Sequence, residues 1–248
     1  MALTTNLISW YQLESDGADA LGTNNLGTNT NNLFDAAYGK IGNGVYVNSN
    51  DSNHSVLNDA SATSINFGTG NFSLSVWFNR QGAGHADAFQ PPILVLTGAT
   101  NYARAYICLN GTTGAVNTQF YDGSNGRNAD YAAGITTAGW HHAVLTRSGG
   151  TITLYLDGSL VASDTGSFGT PSSANMNMTQ IFIGSDNDVT DEFQGYVDLA
   201  GIWSRAITSD EVTELYNSGA GLAYPFVASS VPAKQVFARQ AVNRASTY

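Results

Sequence analysis

Residues 193–216 read FQGYVDLAGIWSRAITSDEVTELY, and this stretch decides the fold. In its first half both alternating sets of positions are mostly apolar, which predicts a strand covered on both faces. One face is expected to hold Tyr196, Asp198, Ala200 and Ile202, and the other Val197, Leu199 and Trp203. Asp198 is the first functional candidate, because a carboxylate buried in so apolar a strand needs a partner.

The second half of the stretch predicts one short helix near residues 209–217. Thr208 is a favourable N-cap residue, and Glu211 three positions later completes a capping box. Apolar side chains then follow at the spacing i, i+3 and i+4 and form a single stripe, Val212, Leu215 and Tyr216. Gly219 is expected to end the helix, since glycine adopts the left-handed conformation at low cost.

The rest of the chain predicts about a dozen short strands in an all-β, antiparallel sandwich. Residues 72–79 alternate cleanly, and residues 140–147 and 151–157 form a hairpin around Gly149 and Gly150. The sequence Asp157-Gly158 predicts a further tight hairpin turn. Polar stretches predict loops at residues 15–37, 80–92 and 122–139.

Composition and charge restrict the classes of function. The chain has 248 residues, 27 of them glycine, and a formal net charge of −10, which argues against a nucleic-acid surface. No apolar run approaches the ~20 residues of a membrane span. Residues 1–226 hold all 19 acidic and 6 of the 9 basic residues (6 − 19 = −13), whereas residues 227–248 add three basic residues and no acid. We therefore expect one domain over residues 1–226 and a basic tail over residues 227–248, which is either a docking arm or a solvated, disordered terminus.

Two features of the chain bear on its compartment. Cys108 is the single cysteine, so no disulfide forms within the chain, and a small core residue is the simplest role for it. The residues after Met1 lack the basic and apolar pattern of a secretion signal, which predicts synthesis in the cytoplasm.

Several blocks, in order and spacing, resemble the laminin-G-like jelly roll of the concanavalin A-like lectin/glucanase superfamily. The resemblance covers roughly residues 5–226 and implies a two-sheet jelly-roll sandwich. The blocks are WHHAV at residues 140–144, LYLDG at 154–158, IG at 183–184, GYVD at 195–198, IWSRAIT at 202–208 and NFSLSVW at 71–77.

The resemblance also implies a structural calcium ion. Relatives hold it with an acidic residue that closes the first strand, a polar loop after a later strand and the aspartate of the late strand. In this sequence those positions are Glu14, Asn48, Asp51 and Asp198. Oxygen ligands of this kind suit Ca²⁺. Leu199 departs from the glutamate that relatives usually carry, and backbone amides that cap Asp198 are the alternative partner for its carboxylate.

The sequence lacks the catalytic residues of the glucanase relatives. Retaining glycosidases place two carboxylates about 5 Å apart, and the glucanases of this superfamily take them from alternate residues of one strand. No E-x-D-x-E arrangement occurs here, and no nucleophile elbow or phosphate-binding loop is present. The sequence therefore predicts that the protein is not an enzyme.

Glycan binding is the leading positive hypothesis for the sandwich. Aromatic rings pack on the C–H faces of sugars, and polar side chains order the hydroxyl groups. The candidate glycan-binding residues are Asp87, Phe89, Tyr102, Arg104, Tyr121, Asp122 and Tyr131. The alternative is that several of these aromatic side chains only complete the rim of the core.

A structural role in a larger assembly is the third hypothesis. The tail offers basic and apolar anchors for a docking arm, Lys234, Phe237, Arg239 and Arg244. The chain resembles laminin-G-like proteins among the structural proteins of tailed phages, which implies a capsid decoration or fibre component exposed on the virion. Its partners would be other virion proteins or further copies of itself, and cell-surface polysaccharide. A free-standing carbohydrate-binding module or secreted lectin is the alternative.

Overall fold

The computed structural model describes residues 2–48, 54–82, 90–98, 103–135, 138–186 and 192–226. In these residues the chain forms seventeen strands and one α-helix. The strands are β1 Leu7–Tyr11, β2 Thr28–Thr30, β3 Leu33–Asp35, β4 Gly44–Asn48, β5 Val56–Asp59, β6 Asn66–Gly68, β7 Phe72–Arg80, β8 Pro92–Gly98, β9 Ala103–Leu109, β10 Val116–Asp122, β11 Gly126–Tyr131, β12 His141–Ser148, β13 Thr151–Leu156, β14 Ser159–Ser163, β15 Gly166–Phe168, β16 Met176–Ile183 and β17 Gln194–Trp203, and the helix is α1 Ser209–Tyr216.

The strands form two antiparallel sheets, which confirms the all-β jelly-roll sandwich. The eight-stranded sheet has the order β14-β13-β12-β7-β17-β4-β3, and β1 pairs with β17 beside β4. The nine-stranded sheet has the order β15-β11-β10-β9-β8-β16-β5-β2, and β6 pairs with β16. No helix in the described part of the chain is long and apolar enough to cross a membrane.

The main core lies between the inner faces of the two sheets. Alternate residues of β7 enter it, namely Phe72, Leu74, Val76 and Phe78, as the sequence pattern predicts. The nine-stranded sheet contributes alternate residues such as Leu96, Ala105 and Phe120. This regular alternation assigns the intervening residues of these strands to the outer faces.

The alternation in β17 is interrupted by a bulge, and this corrects the predicted faces. The pairing of β17 with β7 shifts between Asp198 and Gly201, where Leu199 has φ 47°. Val197, Ala200 and Ile202 therefore face the main core, while Leu199 packs on the outer side. The prediction that Asp198 shares a face with Ala200 was wrong, because the extra residue reverses the alternation.

A second apolar cluster covers the outer face of the eight-stranded sheet. Trp10, Trp77 and Trp203 come from the sheet, and Val212 and Leu215 of α1 pack against them. The N-terminal segment and residues 222–226 complete this cluster with the side chains Leu3, Leu222, Tyr224 and Phe226. The Phe226 ring centroid lies 4.8 Å from that of Trp10 in an edge-on arrangement. The predicted apolar stripe of the helix thus packs against the outer face of the sheet.

Arg205 connects the sheet, the helix and the N-terminal segment. Its Nη1 and Nη2 donate to the two carboxylate oxygens of Glu211 at 2.7 and 2.8 Å. Its Nε donates to the carbonyl of Thr5 at 2.7 Å. Ser73 of β7 donates its hydroxyl to the Arg205 carbonyl and accepts from the amide of Ile207. The ion pair is buried, with side-chain exposures of 11% and 4%.

The capping box of α1 is confirmed, whereas the predicted C-terminal residue was wrong. Thr208 accepts from the amide of Glu211, and Glu211 accepts from the amide of Thr208. The helix ends at Asn217, which itself adopts the left-handed conformation with φ 48°. Asparagine tolerates this conformation better than most residues, so the helix ends two residues before Gly219.

Short polar strands replace parts of the predicted loops. Within residues 15–37 the chain forms β2 and β3, and within residues 122–139 it forms β11. The region before β2 is ordered by Asp19, a buried carboxylate that accepts from the amides of Trp10, Leu21 and Asn24. Such strands are too short and too polar to show an alternating pattern in the sequence.

Cys108 is buried but lies outside the main core. It packs with Val95, Tyr106 and Phe182 in a small apolar cluster. These residues alternate with core residues along their strands and therefore occupy the outer side of the nine-stranded sheet.

His142 is a buried, neutral histidine beneath the helix. Its Nε2 lies 2.8 Å from the hydroxyl of Ser75, and its ring stacks against those of Trp77 and Tyr216 at 5.0 and 6.3 Å. Burial lowers the pKa of His142 to about 3, although the nearby Asp157 acts in the opposite direction. The Nδ1 atom has no hydrogen-bond partner, so the site offers nothing to stabilise a proton there.

We predict that His142 makes the protein sensitive to acid. The unfolded chain protonates this side chain below about pH 6.5, whereas the folded protein does not until about pH 3, so the contribution of His142 to the unfolding free energy falls as the pH drops through this window. Asp198, whose pKa burial raises to about 7, contributes in the opposite direction in the wild type and in the variant alike. Between about pH 6.5 and 4.5 the expected loss is about 2 kcal/mol. Urea titrations of the wild type and His142→Phe, which keeps a ring between Trp77 and Tyr216, measure this loss.

The matched control is His141→Phe, at a more exposed histidine bonded to Asp157 at 2.8 Å. If His142→Phe loses as much stability over this pH range as the wild type does, the assignment to His142 is incorrect.

Candidate functional site

A row of side chains crosses the outer face of the nine-stranded sheet. The pairing of the strands places each residue of this row directly opposite the next one, on the adjacent strand. This transverse row consists of Gln180, Thr97, Arg104, Tyr121, Gly126 and Phe168. Adjacent strands are ~4.8 Å apart, so the row spans roughly 24 Å over its five steps.

Two aromatic rings form one end of the transverse row. The centroids of Tyr121 and Phe168 are 5.4 Å apart in an edge-on arrangement, and Phe168 is 41% exposed. Gly126 lies between them on β11. A Cβ at Gly126 would come within 2.2 Å of the Phe120 carbonyl oxygen and 3.0 Å of the Tyr121 ring. The sheet therefore needs glycine here for the two rings to meet across the strand.

Arg104 occupies the centre of the row, and neighbouring side chains fix its orientation. Its Nε donates to Oε1 of Gln119 at 2.9 Å, and Nε2 of Gln119 donates to Oδ1 of Asn128 at 2.8 Å. The guanidinium carbon lies 5.7 Å from the ring centroid of Tyr106. Arg104 itself is exposed. The face thus presents a cation held from below by a chain of amide side chains.

The other end of the row is polar. Thr97 donates its hydroxyl to Oε1 of Gln180 at 2.8 Å. The apolar cluster around Cys108 lies beside this end and along the same sheet face. The row therefore combines a polar end, a guanidinium and an aromatic end on one surface.

The structure brings two predicted glycan-binding residues together and separates two others from them. Arg104 and Tyr121 lie directly opposite each other on β9 and β10. Asp122 instead orders the turn after β10, because its carboxylate accepts from the amides of Ser124, Asn125 and Asn175. Tyr131 lies opposite Val116 and packs against the main core.

The pKa of Asp122 agrees with its role in the turn. Burial alone would raise the pKa of this carboxyl group, but the N–H donors of Asn125, Asn175 and Ser124 outweigh burial and lower the pKa.

The remaining glycan-binding candidates and the anchors of the predicted docking arm have no described position. Asp87, Phe89 and Tyr102 lie outside the described residues, as do the tail residues Lys234, Phe237, Arg239 and Arg244.

Two of the predicted calcium ligands converge on the turn at residues 40–43. Oδ2 of Asp198 accepts from the amides of Lys40 and Ile41 at 2.8 and 3.0 Å. Oε2 of Glu14 accepts from the amide of Asn43 at 2.9 Å. The turn includes Gly42 with φ +70°, where a Cβ would come within 2.3 Å of the Glu14 carboxylate. The backbone of Asn48 belongs to β4, and Asp51 lies outside the described residues.

The described donors fit a calcium ion only in part. The three amides of Lys40, Ile41 and Leu199 already bond to the Asp198 carboxylate. Burial raises the pKa of Asp198 to about 7 in spite of these donors, and the negative charge of Glu14 acts in the same direction. No group of three or more acidic, histidine or cysteine side chains in the described ranges has the arrangement of a metal site. Calcium remains a prediction.

A recess of about 290 Å³ lies at another rim of the sandwich, lined by Arg80, Gln81, Gly82, Thr112 and Ala138. Its cation has a structural role, because Arg80 donates to the carbonyls of Gly82, Gly111 and Ile135. These three bonds connect the end of β7 to two loops.

Sequence reasoning did not select most residues of the candidate face, among them Gln119, Asn128 and Phe168. Gln119 had a usable signal, since it lies two positions before Tyr121 and strand alternation puts both on one face. Asn128 and Phe168 had none, because their strands β11 and β15 were predicted as loop or not at all. Their proximity to Tyr121 depends on pairing between distant parts of the chain.

Comparison with known proteins agrees with this architecture. The family model described as concanavalin A-like lectin/glucanases superfamily matches residues 42–213. The chain belongs to this superfamily. No curated protein sequence matches it.

Solved structures share the fold at low sequence identity. One such structure is domain 4 of AbnA, an extracellular arabinanase from Geobacillus stearothermophilus, in complex with arabinotriose. Its sequence is 19% identical to this chain and the TM-score is 0.64, and the match covers 84% of this chain and 97% of that domain. The carbohydrate-binding module CBM40 of a Ruminococcus gnavus sialidase is 12% identical with a TM-score of 0.54, covering 68% and 94%. The binding domain of Paraclostridial Mosquitocidal Protein 1 is 21% identical with a TM-score of 0.63, covering 88% of this chain and 53% of that one. The fold is thus lectin-like and resembles that of carbohydrate-binding modules.

We predict that calcium raises the melting temperature of this lectin-like domain. The Glu14 and Asp198 carboxylates meet one turn, and a bound cation would offset their repulsion while stabilising only the folded state. Differential scanning calorimetry of a dialysed sample with Ca²⁺ or with a chelator measures the shift. Asp198→Asn should reduce the shift, whereas Asp16→Asn, at an exposed aspartate two residues from Glu14, should retain it. An unchanged transition in the wild type would remove calcium from the description of this protein.

Proposed function

We propose that this protein binds glycans through the transverse row and does not hydrolyse them. The observation that supports this most directly is the register that puts Arg104 opposite Tyr121, with Phe168 on the far side of the one intervening strand β11 from Tyr121. Aromatic faces next to fixed polar donors are the combination that sugars need, because sugar rings have apolar C–H faces and polar edges.

The covered face of the other sheet supports the same choice. Helix α1, the N-terminal segment and residues 222–226 pack on the outer side of the eight-stranded sheet and bury Trp10, Trp77 and Trp203. The row on the nine-stranded sheet instead keeps Arg104 and Phe168 exposed. An open sheet face with an aromatic end and a polar end suits an extended chain of sugars more than a small, enclosed ligand.

The non-catalytic assignment rests on the sequence. Hydrolysis by the usual route requires an acid and a second carboxylate across the scissile bond. Asp122, the acidic residue nearest to the row in sequence, is committed to the turn that follows β10. The neighbours that share the fold include carbohydrate-binding modules of enzymes, which supports a binding role.

We predict that Tyr121→Ala weakens glycan binding about tenfold. The substitution removes the ring that stacks on the sugar, which corresponds to roughly 1.4 kcal/mol of binding free energy. A broad glycan array identifies a ligand, and calorimetric titration with that ligand measures the loss of affinity. Melting curves of the same samples show whether the variant is folded.

The matched control is Tyr38→Ala, which removes a half-buried tyrosine that stacks at 5.1 Å on Tyr196 of the eight-stranded sheet. Equal losses in both variants would argue against the transverse row, and a wild type that binds no member of a broad array would contradict glycan binding.

We further propose that the protein is a structural component of a virion, attached by residues 227–248 and displayed towards cell-surface polysaccharide. Support for this proposal comes from the sequence, in which Lys234, Arg239 and Arg244 give the tail a charge of +3 beside a body of −13. Opposite charges of this kind favour association with an acidic neighbour or with further copies of the same chain. The free-standing carbohydrate-binding module remains the alternative.

We predict that deletion of residues 227–248 prevents incorporation into particles while glycan binding by the sandwich is retained. Cosedimentation with purified particles measures the first property, and calorimetric titration measures the second. A variant with Lys234, Arg239 and Arg244 replaced by glutamine isolates the contribution of charge. Normal incorporation of the truncated protein would refute a docking arm.

A further inference from the structure

Arg104 differs from the other arginines of the described chain in the hydrogen bonds and ion pairs that its guanidinium makes. Arg205 and Arg127 pair with Glu211 and Asp164, and Arg80 and Arg147 donate terminal nitrogens to backbone carbonyls. Arg104 donates only Nε, to Gln119. Within the described ranges no carboxylate forms an ion pair with it. Its Nη1 and Nη2 groups therefore remain available at an exposed position.

The bond at Nε determines which edge of the guanidinium is presented. A guanidinium has five N–H donors in a planar fork, and the Nε bond leaves the four on Nη1 and Nη2. Gln119 is 5% exposed, and its amide is oriented from the far side by Asn128. The fork of Arg104 is thus held in place before any ligand arrives, which lowers the entropy lost on binding.

From this geometry we propose that the transverse row recognises glycans that carry a carboxylate, with Arg104 binding the carboxylate through Nη1 and Nη2. The inference rests on the proposed function, because it names the class of sugar for the same face. Tyr121 lies directly opposite Arg104, so the ring of the acidic sugar packs on Tyr121 while its carboxylate meets the guanidinium.

The chemistry favours a carboxylate over a neutral hydroxyl group. A planar carboxylate accepts two parallel N–H donors from the guanidinium, and such charge-assisted bonds are about twice as strong as neutral ones. A neutral sugar would leave the charge of Arg104 without a counter-charge and use the fork as a single donor.

The surrounding charges favour one isolated carboxylate over a densely charged chain. Asp122 follows Tyr121 in sequence, and Asp130 lies on the same sheet face opposite Asn117. The whole chain has a net charge of −10. Repulsion from these groups acts on every anion of a polysulfated ligand, whereas Arg104 offsets only one charge.

Matched pairs of ligands test the inference directly. The probes are a galacturonate oligomer, a glucuronate-containing chain and a sialylated oligosaccharide, each titrated beside its own methyl ester into the full-length protein. The esters keep the sugar and remove the charge. We expect at least one acid to bind about tenfold or more tightly than its ester, and Arg104→Gln to abolish that difference.

Variants separate the charge of Arg104 from its geometry. Arg104→Lys keeps the charge but loses the planar fork, so it should recover only part of the preference for the acid. Arg127→Gln removes a cation of the neighbouring strand β11 that is already paired with Asp164 at 3.1 Å, and it should leave the preference unchanged.

The outcomes distinguish this inference from the proposed function. If acids and esters bind equally and Arg104→Gln changes neither, while Tyr121→Ala still weakens binding, glycan binding stands and carboxylate recognition is wrong. If no probe and no neutral glycan binds, or Tyr121→Ala affects none of them, both proposals are wrong. A sulfated chain that binds more tightly than every carboxylate, with the same dependence on Arg104, also overturns the carboxylate assignment.

Discussion

The buried ion pair of Arg205 and Glu211 is the interaction on which the arrangement of this protein depends. The guanidinium of Arg205 donates to Glu211 of the helix α1 and to the carbonyls of Ala2 and Thr5 in the N-terminal segment. The backbone carbonyl of Arg205 accepts from Ser73 of the sheet. A buried pair of this kind contributes less to net stability than to a unique arrangement, because both charges lose water when they are buried. Here all the named donors and acceptors are matched, and the helix is fixed over three tryptophans.

This arrangement makes the two outer faces of the sandwich different. One outer face receives the helix, the N-terminal segment and residues 222–226 and becomes a second core with His142 buried inside it. The other carries polar and aromatic side chains in register across six strands. The difference follows from the sequence of β7, where Trp77 faces outward towards the helix, and that of β10, where Gln119 and Tyr121 face outward towards solvent.

The fold could be predicted from the sequence where local patterns are strong. The alternation of residues 72–79 and the capping box of Thr208 and Glu211 need only near neighbours, and both are confirmed. The bulge at Leu199 could not be predicted, because a single left-handed residue leaves no mark in an apolar run. The same holds for β15, whose pairing with β11 joins residues about forty positions apart in a segment rich in glycine and serine. For the candidate site, local composition identified Arg104 and Tyr121, but only the register between β9 and β10 shows that they are neighbours.

The positions of Leu3 and Phe226 have a consequence for how the sandwich is connected to the rest of the chain. Leu3 and Phe226 both pack on the outer side of the eight-stranded sheet, and the Phe226 ring contacts Trp10 there. The backbone therefore enters and leaves the described sandwich on the side opposite to Arg104 and Tyr121, with both sheets between. Under the proposed glycan-binding role, entry and exit of the backbone on that side keep the transverse row clear of the adjoining segments.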